Sequence, residues 1–223
     1  MKSLSILIPI YNEEESLQAL FVELKSSFEK NQSVEIIFIN DGSSDMSQKV
    51  IENEIANHST WKLINLYRNY GKSVALQSGI DIASNELIAT LDGDLQDDPK
   101  ELISLVRELN EDDVIVGWKK DRLDPLEKKI ASKIFNFFIK LFSGLKIKDS
   151  NSGIKVLKKE VAKSLNLYGG RHRYIPLLAH QKGFNVKEIP VNHRERKFGK
   201  SKYGAERYKH GFFDFMTILF LGK

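Results

Sequence analysis

Residues 86–99 read ELIATLDGDLQDDP, an apolar run that ends in a cluster of carboxylates. The run Glu86–Leu91 is typical of a buried strand, and Pro99 is typical of the first position of a helix. Asp92 and Asp94 are separated by one residue, so as positions i and i+2 they share a side of an extended chain, and the turn beyond a strand exposes them to a ligand. This stretch therefore predicts a strand, a ligand-binding turn and a helix, in that order.

The same alternation of strands and helices extends to both sides of this stretch. Strand-like apolar runs between turn residues are Leu4–Ile10, Val34–Ile39, Trp61–Leu66, Glu86–Leu91 and Val114–Gly117. Helix-period segments are Ser16–Lys30, Ser47–Asn57, Lys72–Ile82 and Pro99–Leu109. This order predicts an α/β fold with a mostly parallel sheet and helices on both faces. In such a sheet, ligands bind in the crevice beyond the carboxyl ends of the strands.

Polar motifs follow three of the predicted strands at the point where each strand ends. They are Tyr11-Asn12-Glu13, Asn40-Asp41-Gly42-Ser43 and Asp92-Gly93-Asp94. Asp41 can accept hydrogen bonds from a base or a ribose, or it can belong to a plain turn before the next helix. Glu13 can serve a ligand or compensate the dipole of the helix that follows. We expect the three strand ends to converge on one crevice.

The turn Asp92-Gly93-Asp94 is a candidate metal site. Its carboxylate oxygens, together with the Gln96 carbonyl, suit Mg²⁺ or Mn²⁺ and leave coordination positions for diphosphate and water. The chain has no cysteine, which excludes thiolate ligands, disulfides and cysteine nucleophiles and fits an intracellular location. The alternative is an acidic turn in which Asp97 or Asp98 caps the helix beginning at Pro99. We expect the cap for Asp98 and the metal for the turn.

The charge of the chain differs between its two halves. Residues 1–118 contain 9 Lys and Arg against 21 Asp and Glu, a net charge of −12, whereas residues 119–223 contain 25 against 9, a net charge of +16. An acidic half suits a divalent cation, and a basic half suits phosphates, an anionic membrane surface or nucleic acid. No nucleic-acid-binding motif accompanies the basic charge, so nucleic acid is not expected as a partner.

Two segments of the basic half are rich in apolar residues. One predicts a basic amphipathic helix that either contacts a membrane surface or packs on the sheet, with helical spacing of Ile130, Ile134, Phe137, Phe138, Leu141 and Phe142. The other, residues 212–221, is apolar apart from Asp214 and Thr217 and is shorter than the ~20 apolar residues that cross a bilayer. It predicts an interfacial helix, an interface in a homo-oligomer, or the start of a longer membrane region.

Eight motifs can be compared with those of known families. The N-terminal half contains Pro9-x-Tyr11-Asn12-Glu13, Asp41-Gly42-Ser43, Arg68-Asn69-x-Gly71-Lys72 and Asp92-Gly93-Asp94-Leu95-Gln96. These motifs resemble the family 2 glycosyltransferases of the GT-A fold. Downstream lie Gly117-Trp118-Lys119-Lys120-Asp121-Arg122, Asp149-Ser150-Asn151-Ser152-Gly153-Ile154-Lys155, His172-Arg173-Tyr174-Ile175-Pro176 and Arg194-x-Arg196-x-x-Gly199-x-Ser201-Lys202-Tyr203. This second set resembles the polyprenyl-phosphate branch, which contains dolichyl-phosphate mannosyltransferases and bactoprenol glucosyltransferases.

The resemblance implies a role for individual residues. It implies donor binding by Pro9, Tyr11, Glu13, Asp41, Lys72 and Asp92. It implies catalysis and metal binding by Asp92, Asp94 and Gln96. It implies binding of an acceptor phosphate by Arg122, Lys128, Ser132, Arg196 and Lys202, with Asp149 orienting the sugar or the acceptor. Lys119 and Lys155 stand where many relatives have arginine, so a phosphate contact there would be a point-charge contact. His172 and Arg173 are either acceptor-site residues or residues with a purely structural role.

The function implied by the resemblance is the inverting transfer of a sugar from a UDP- or GDP-linked donor to a polyprenyl phosphate. A phosphate monoester has a second pKa of about 6, so the acceptor is largely ionised at neutral pH and needs no strong general base. One alternative is a family 2 transferase acting on a saccharide hydroxyl, for which Asp149 is the best candidate base. Another is a non-catalytic, membrane-associated scaffold.

The resemblance also implies an organisation of the chain. Residues 1–203 are expected to form the catalytic domain, with a nucleotide-sugar half at 1–118 and an acceptor half at 119–203. Residues 204–223 are expected to be a juxtamembrane or interfacial segment. The expected location is the cytoplasmic face of a membrane, where the chain is held peripherally or through segments absent from it.

Overall fold

The computed structural model describes residues 2–28, 31, 33–119, 140–141, 143–192, 194–195 and 217–218. Its strands are β1 (Leu4–Ile10), β2 (Val34–Asn40), β3 (Trp61–Asn65), β4 (Leu87–Thr90), β5 (Val114–Lys119), β6 (Lys155–Lys158) and β7 (Val186–Val191). They form one sheet in the order β3-β2-β1-β4-β6-β5-β7. Of the strands in this part of the chain, β6 alone runs antiparallel to its neighbours. The predicted mostly parallel sheet is therefore confirmed.

Helices cover both faces of the sheet, as predicted. They are α1 (Glu14–Phe28), α2 (Ser47–Ile55), α3 (Lys72–Ile82), α4 (Glu101–Glu108), α5 (Lys159–Ser164) and α6 (Ile175–Gln181), with a 3-10 turn at Arg171–Tyr174. Successive side chains of a strand point to opposite faces, so Ile6 packs with α1, α2 and α4 whereas Leu7 packs with α3, α5 and α6. The two faces thus carry separate apolar cores.

Two strands, β6 and β7, were absent from the strands predicted by apolar runs. Strand β6 has four residues and begins and ends with lysine, and β7 interrupts its apolar residues with Lys187, Glu188 and Pro190. Neither pattern stands out in the sequence, because pairing with neighbours rather than local composition makes these residues extended. Strand β6 inserts between β4 and β5. This insertion brings the segment that precedes Lys155 next to the end of β4.

Much of the basic half lies outside the described residues. Of the predicted amphipathic helix, the structure describes Lys140 and Leu141, which are helical, and Leu141 is 62% exposed. Of the apolar run 212–221 it describes Thr217 and Ile218, and Ile218 is buried in the core that contains α3. Within the described ranges, no helix combines the length and apolar content needed to cross a membrane.

Candidate active site

The carboxyl ends of β1, β2 and β4 lie side by side. Strand β1 is the central member of the three, and its register pairs Ile10 with Asn40 of β2 and Leu7 with Thr90 of β4. The polar motifs that follow these strands therefore occupy one edge of the sheet, which is the edge where α/β proteins bind ligands. The expected convergence of the three strand ends is observed.

Hydrogen bonds join the turns after β1 and β2. The Asn12 N–H donates to Ser43 Oγ at 2.9 Å, the Asn12 side-chain oxygen accepts from the Ser44 N–H at 2.7 Å, and the Glu13 N–H donates to Ser47 Oγ at 2.9 Å. Asn12 has a φ of 52°, a left-handed conformation that asparagine tolerates better than most residues. These motif residues thus build the backbone of the site.

Asp41 anchors the loop that leads into α3. Its carboxylate is 3% exposed and accepts the N–H of Tyr70 at 2.8 Å and the N–H of Gly71 at 2.9 Å. The same loop lies so close to Gly42 that a Cβ there would be 2.3 Å from the Arg68 carbonyl carbon. Burial raises the pKa of Asp41, and the two N–H donors oppose this without reversing it. Each carboxylate oxygen keeps a second lone pair for a ligand donor.

The turn after β4 is held in a defined shape. Ser16 Oγ of α1 donates to the Gly93 carbonyl at 3.0 Å, and the Gln96 N–H donates to Asp94 Oδ1 at 3.2 Å. Leu95 lies between the two ligand candidates Asp94 and Gln96. It has a φ of 61°, a left-handed conformation that costs a branched residue about 1 kcal/mol. Its side chain is 3% exposed and packs in the core with α1. Burial of Leu95 therefore helps to hold Asp94 and Gln96 on either side of the bend.

Three lysines surround the carboxylates of this turn, and we call Lys72, Lys119, Lys155, Asp92 and Asp97 the Asp92 cluster. Lys72, the first residue of α3, pairs with Asp92 Oδ1. Lys119 Nζ lies 2.7 Å from Asp97 Oδ1, and both side chains are largely buried. Lys155, at the start of β6, is 3% exposed and donates to the Ser152 carbonyl. The cluster joins α3, β5, β6 and the turn after β4.

Gly153 lies directly against both carboxylates of the cluster. A Cβ at this position would be 2.6 Å from Asp92 Oδ2 and 2.9 Å from Asp97 Oδ2. The Gly153 carbonyl also accepts the hydroxyl of Thr90, the last residue of β4, at 2.7 Å. Only glycine permits this approach without displacing a carboxylate, so the segment before β6 forms one wall of the site.

The lysines of the cluster keep the Asp92 carboxylate ionised. Burial alone would raise the pKa of Asp92. The Lys72 ammonium, with smaller contributions from Lys119 and Lys155, instead holds the Asp92 pKa well below its usual range. Burial likewise works against the charged form of Lys119, and the Asp97 carboxylate nevertheless raises its pKa. Burial lowers the pKa of Lys155 to about 8, and the Lys72 ammonium acts in the same direction. The Asp149 carboxylate also acts on Lys119 and Lys155. Buried ionisable groups with such perturbed pKa values are typical of a functional site.

His172 supports the first turn of α3. Ser73 Oγ accepts the His172 backbone N–H at 3.0 Å and lies within hydrogen-bond distance, 2.9 Å, of its Nδ1. Burial, and then the nearby Lys72 ammonium, lowers the pKa of His172 well below its ordinary value, so the imidazole is neutral at physiological pH. The neutral ring ties the 3-10 turn to the helix that carries Lys72.

The residues predicted for the donor and the metal are brought to this one edge. Pro9 lies near the end of β1 and is half-buried, Tyr11 is 37% exposed, and Glu13 is half-buried just before α1. Asp149 is buried on the segment that leads to β6, and its N–H donates to Glu188 Oε1 at 2.8 Å. The predicted acceptor residues lie outside the described residues; they are Arg122, Lys128, Ser132, Arg196 and Lys202.

Several residues of the site have no role in the predictions from sequence. Asp97 reads as part of a cap, Gly153 as part of a longer motif, and Ser73 as an ordinary helix residue. Asp98 follows the expectation only in part, because its Oδ1 accepts the Lys100 N–H at 2.9 Å while the helix itself begins at Glu101. A glycine at the end of the polar run Asp149–Ser152 is the one local signal that would have pointed to Gly153.

The donor set of the turn after β4 fits a divalent cation of the Mg²⁺ or Mn²⁺ type. Asp94 and Gln96 offer hard oxygen atoms from a turn whose shape is held, and Asp92 lies two residues before Asp94. Among the described residues, no group of three or more His, Asp or Glu side chains is arranged to hold a metal ion. With Asp94 and Gln96 as protein ligands, a cation at this turn would complete its coordination with ligand and water oxygens.

A mostly parallel sheet with an Asp-x-Asp turn at its carboxyl edge is the arrangement expected of a transferase that uses a nucleotide-sugar, and comparison with known sequences gives the family. The sequence pattern of the glycosyl transferase family 2 matches residues 5–165, and the chain belongs to this family.

Two curated relatives match almost all of the chain. It is 35% identical over 224 residues to the dodecaprenyl-phosphate galacturonate synthase of Rhizobium johnstonii, with 97% of this chain and 66% of the relative covered. It is 36% identical over 224 residues to the undecaprenyl-phosphate 4-deoxy-4-formamido-L-arabinose transferase of Salmonella choleraesuis, with 98% and 68% covered. The chain thus spans about two thirds of the length of these relatives.

Solved structures with the same fold include two transferases. The glucosyl-3-phosphoglycerate synthase of Mycobacterium tuberculosis, in complex with Mn²⁺ and UDP-glucose, has a TM-score of 0.73 and 15% identity, with 98% of this chain and 78% of that chain covered. The mannosyltransferase PcManGT of Pyrobaculum calidifontis, in complex with GDP-mannose and Mn²⁺, has a TM-score of 0.69 and 16% identity, with 92% and 60% covered. At such identity the likeness shows the fold alone, and it confirms the predicted GT-A type.

Proposed function

We propose that this protein transfers a sugar from a nucleoside-diphosphate sugar to the phosphate of a polyprenyl phosphate, with inversion at the anomeric carbon. The observation that carries the proposal is family membership together with the two relatives, whose names describe sugar transfer to dodecaprenyl or undecaprenyl phosphate. The arrangement of the Asp92 cluster supports the donor side. The polyprenyl acceptor and the identity of the donor are the parts that experiment must decide.

The proposed donor site uses the residues at the carboxyl edge of the sheet. Asp41 and Tyr11 are proposed to line the nucleoside pocket, and Pro9 and Glu13 lie beside them. Asp94 and Gln96, with Asp92 direct or through water, would hold a divalent cation, which would supply positive charge to the departing diphosphate. Lys72 starts α3 at the same edge, so its ammonium is placed to neutralise both Asp92 and the diphosphate.

The acceptor side of the proposal rests on charge. The acceptor phosphate is largely ionised at neutral pH, since its second pKa is about 6, and the protein must chiefly position it in line with the anomeric carbon. The net charge of +16 on residues 119–223 suits this task, and Arg122, Lys128, Ser132, Arg196 and Lys202 are the proposed contacts. Asp149 is proposed to orient the sugar or the acceptor.

We further propose that the basic half meets the cytoplasmic face of a membrane, where the polyprenyl tail of the acceptor resides. Leu141 supports this, because an apolar residue on the predicted basic helix is 62% exposed. Co-sedimentation with anionic liposomes is expected at low salt and is expected to weaken as salt screens the charge. Equal recovery with neutral and anionic liposomes at every salt concentration would contradict the proposal.

A single assay tests the function. The purified protein is incubated with a short polyprenyl phosphate, Mg²⁺ or Mn²⁺, and a panel of radiolabelled UDP- and GDP-sugars. Transfer of label into the organic phase is the expected result and identifies the donor. Transfer only to added saccharides would replace the lipid acceptor with a hydroxyl acceptor. Tight lipid binding without turnover of any donor would favour a non-catalytic scaffold.

A further inference from the structure

Arg194 lies just beyond β7 and makes three contacts, two with the turn after β4 and one with α1. Its backbone N–H donates to the Gln96 carbonyl at 2.9 Å. One arm of its guanidinium donates to Glu23 Oε1 of α1 at 2.7 Å, and the other arm donates to Asp98 Oδ2. The side chain is two-thirds covered, with 33% exposed. These contacts connect β7, α1 and the turn, which are distant in sequence.

The turn needs support from outside because its own bend is strained. Leu95 is held at a φ of 61°, and such a conformation persists in a branched residue only where surrounding contacts over-determine it. From inside, Ser16 holds the Gly93 carbonyl and the core holds the Leu95 side chain. From outside, Arg194 holds the Gln96 carbonyl and the Asp98 carboxylate. Contacts from α1 and the core therefore hold the bend on one side, and contacts from Arg194 hold it on the other.

Charge gives Arg194 a defined set of partners. One carboxylate oxygen of Glu23 accepts a hydrogen bond from the Arg194 guanidinium. The other oxygen is buried and has no hydrogen-bond partner in the part of the chain that the structure describes. Asp98 uses its other oxygen on the Lys100 N–H. A guanidinium presents its donors in a rigid fork and can bridge two carboxylates, whereas an ammonium is a point charge. In the sequence Arg194 is the first residue of a basic motif that also contains the proposed acceptor contacts Arg196 and Lys202, but both of its own arms are used inside the protein.

We propose that Arg194 is a positioning residue that holds the turn Asp94–Gln96 in its ligand-binding shape. It acts through Gln96, Asp98 and Glu23 and has no contact with substrate. The consequence for function rests on the proposed function, since the turn is assigned there to the cation and the diphosphate. The role in shaping the turn stands on the contacts themselves.

The test uses two readouts on variants with matched controls. Arg194→Met removes both arms, and the double variant Arg194→Met/Glu23→Gln also removes the charge that would otherwise be left buried on Glu23. Hydrogen exchange of residues 94–98 is measured without ligand, and binding of Mn²⁺ with UDP or with GDP is measured by calorimetry. Lys187→Met, on an exposed pair of β7 with Glu108, is the control.

In both Arg194 variants, residues 94–98 are expected to exchange faster than in the wild type and in Lys187→Met. Affinity for the Mn²⁺ nucleotide is expected to fall about 10- to 100-fold, the usual effect of losing a residue that orients metal ligands. Recovery of wild-type exchange and affinity in the double variant would overturn the proposal, because the defect would then come from the buried Glu23 charge alone.

A third variant covers the case in which Arg194→Met does not fold. Arg194→Lys keeps the charge but cannot bridge both carboxylates, so intermediate exchange and affinity are expected, and wild-type values in both readouts would overturn the proposal. The outcome is separable from the proposed function. A wild-type protein that binds the Mn²⁺ nucleotide but never labels a polyprenyl phosphate would defeat the acceptor assignment and leave the role of Arg194 intact.

Discussion

The two ends of the same sheet both bury charge, but they do so in different ways. At the amino end, Glu35 of β2 accepts hydrogen bonds from Ser5 Oγ at 2.5 Å and Ser84 N–H at 2.7 Å and pairs with Lys62 Nζ at 2.7 Å. We call these four residues the Glu35 cluster. It balances one carboxylate with one lysine and joins β1, β2, β3 and the loop before β4.

The Asp92 cluster at the carboxyl end does not consist of one such pair. Its three lysines interact with Asp92 and Asp97, and the buried Asp149 carboxylate also acts on Lys119 and Lys155. The pKa of Lys155 nevertheless falls to about 8, because burial and Lys72 both disfavour its charge. At the amino end, burial raises the pKa of Glu35, yet Lys62 and the serine donors outweigh it and lower the pKa to about 2. A satisfied ion pair serves the fold, whereas a buried lysine whose charge is disfavoured is typical of a functional site. Substitutions at the two ends should therefore affect different properties.

The largest effect is expected from Asp94→Ala. Loss of the carboxylate proposed to hold the cation is expected to lower kcat for transfer at least about 100-fold, since such electrostatic stabilisation is worth that much. Thermal melting should change little, because Asp94 is only half-buried. Asp81→Ala, on the exposed surface of α3, is the control and should transfer normally. Full activity of Asp94→Ala would show that transfer does not depend on this carboxylate. It would contradict the assignment of function to the carboxyl end of the sheet and of stability to the amino end.

The next prediction sets one lysine of each cluster against the other. Lys72→Met is expected to lower transfer about 10- to 100-fold, as for loss of a hydrogen bond to a charged group. Lys62→Met should leave transfer unchanged and lower the free energy of unfolding by about 1–2 kcal/mol. Transfer assays and urea denaturation of both variants measure the contrast. The opposite pattern would show that the amino-end cluster serves catalysis.

The Glu35 cluster also predicts a pH dependence of stability. Because folding lowers the Glu35 pKa from 4.5 to about 2, its contribution is fully present above the unfolded value and is lost as pH falls through that range. Glu35→Gln is therefore expected to cost about 2 kcal/mol at neutral pH, and this difference from the wild type should shrink below pH about 4.5. Urea denaturation across this range measures it, with the exposed substitution Glu86→Gln as control. A difference that does not vary with pH would contradict the assigned pKa.

The smallest effect is expected from Ser73→Ala, which removes the hydroxyl that joins α3 to His172. Because one neutral hydrogen bond is worth about 1 kcal/mol, kcat/KM for the donor should fall about fivefold, less than for Lys72→Met. Ser78→Ala, on the same helix, removes a hydroxyl that donates only to the Val74 carbonyl and serves as control. Equal values for the two serine variants would show that His172 does not position Lys72.

Local patterns were sufficient for the parts of the fold that depend on them. The helix over Lys72–Ile82 and the strand over Leu4–Ile10 match the prediction, because apolar periodicity and flanking turn residues specify both. Strand β6 was not predicted, because its residues become extended through pairing with β4 and β5 rather than through local composition. Predictions for the acceptor residues remain predictions, since those residues lie outside the described ranges.

The amino-acid sequence by itself determined the alternating order of elements, the carboxylates at the end of β4 and the family to which the chain belongs. These properties follow from near neighbours in the chain, whose periodicity and turn chemistry can be read directly. Only the tertiary structure decided that Lys72 pairs with Asp92, that Gly153 abuts both carboxylates, and that Arg194 clasps the turn. Arg194 and Glu23 are 171 positions apart, and no local pattern specifies such a contact, because folding alone brings the two side chains together.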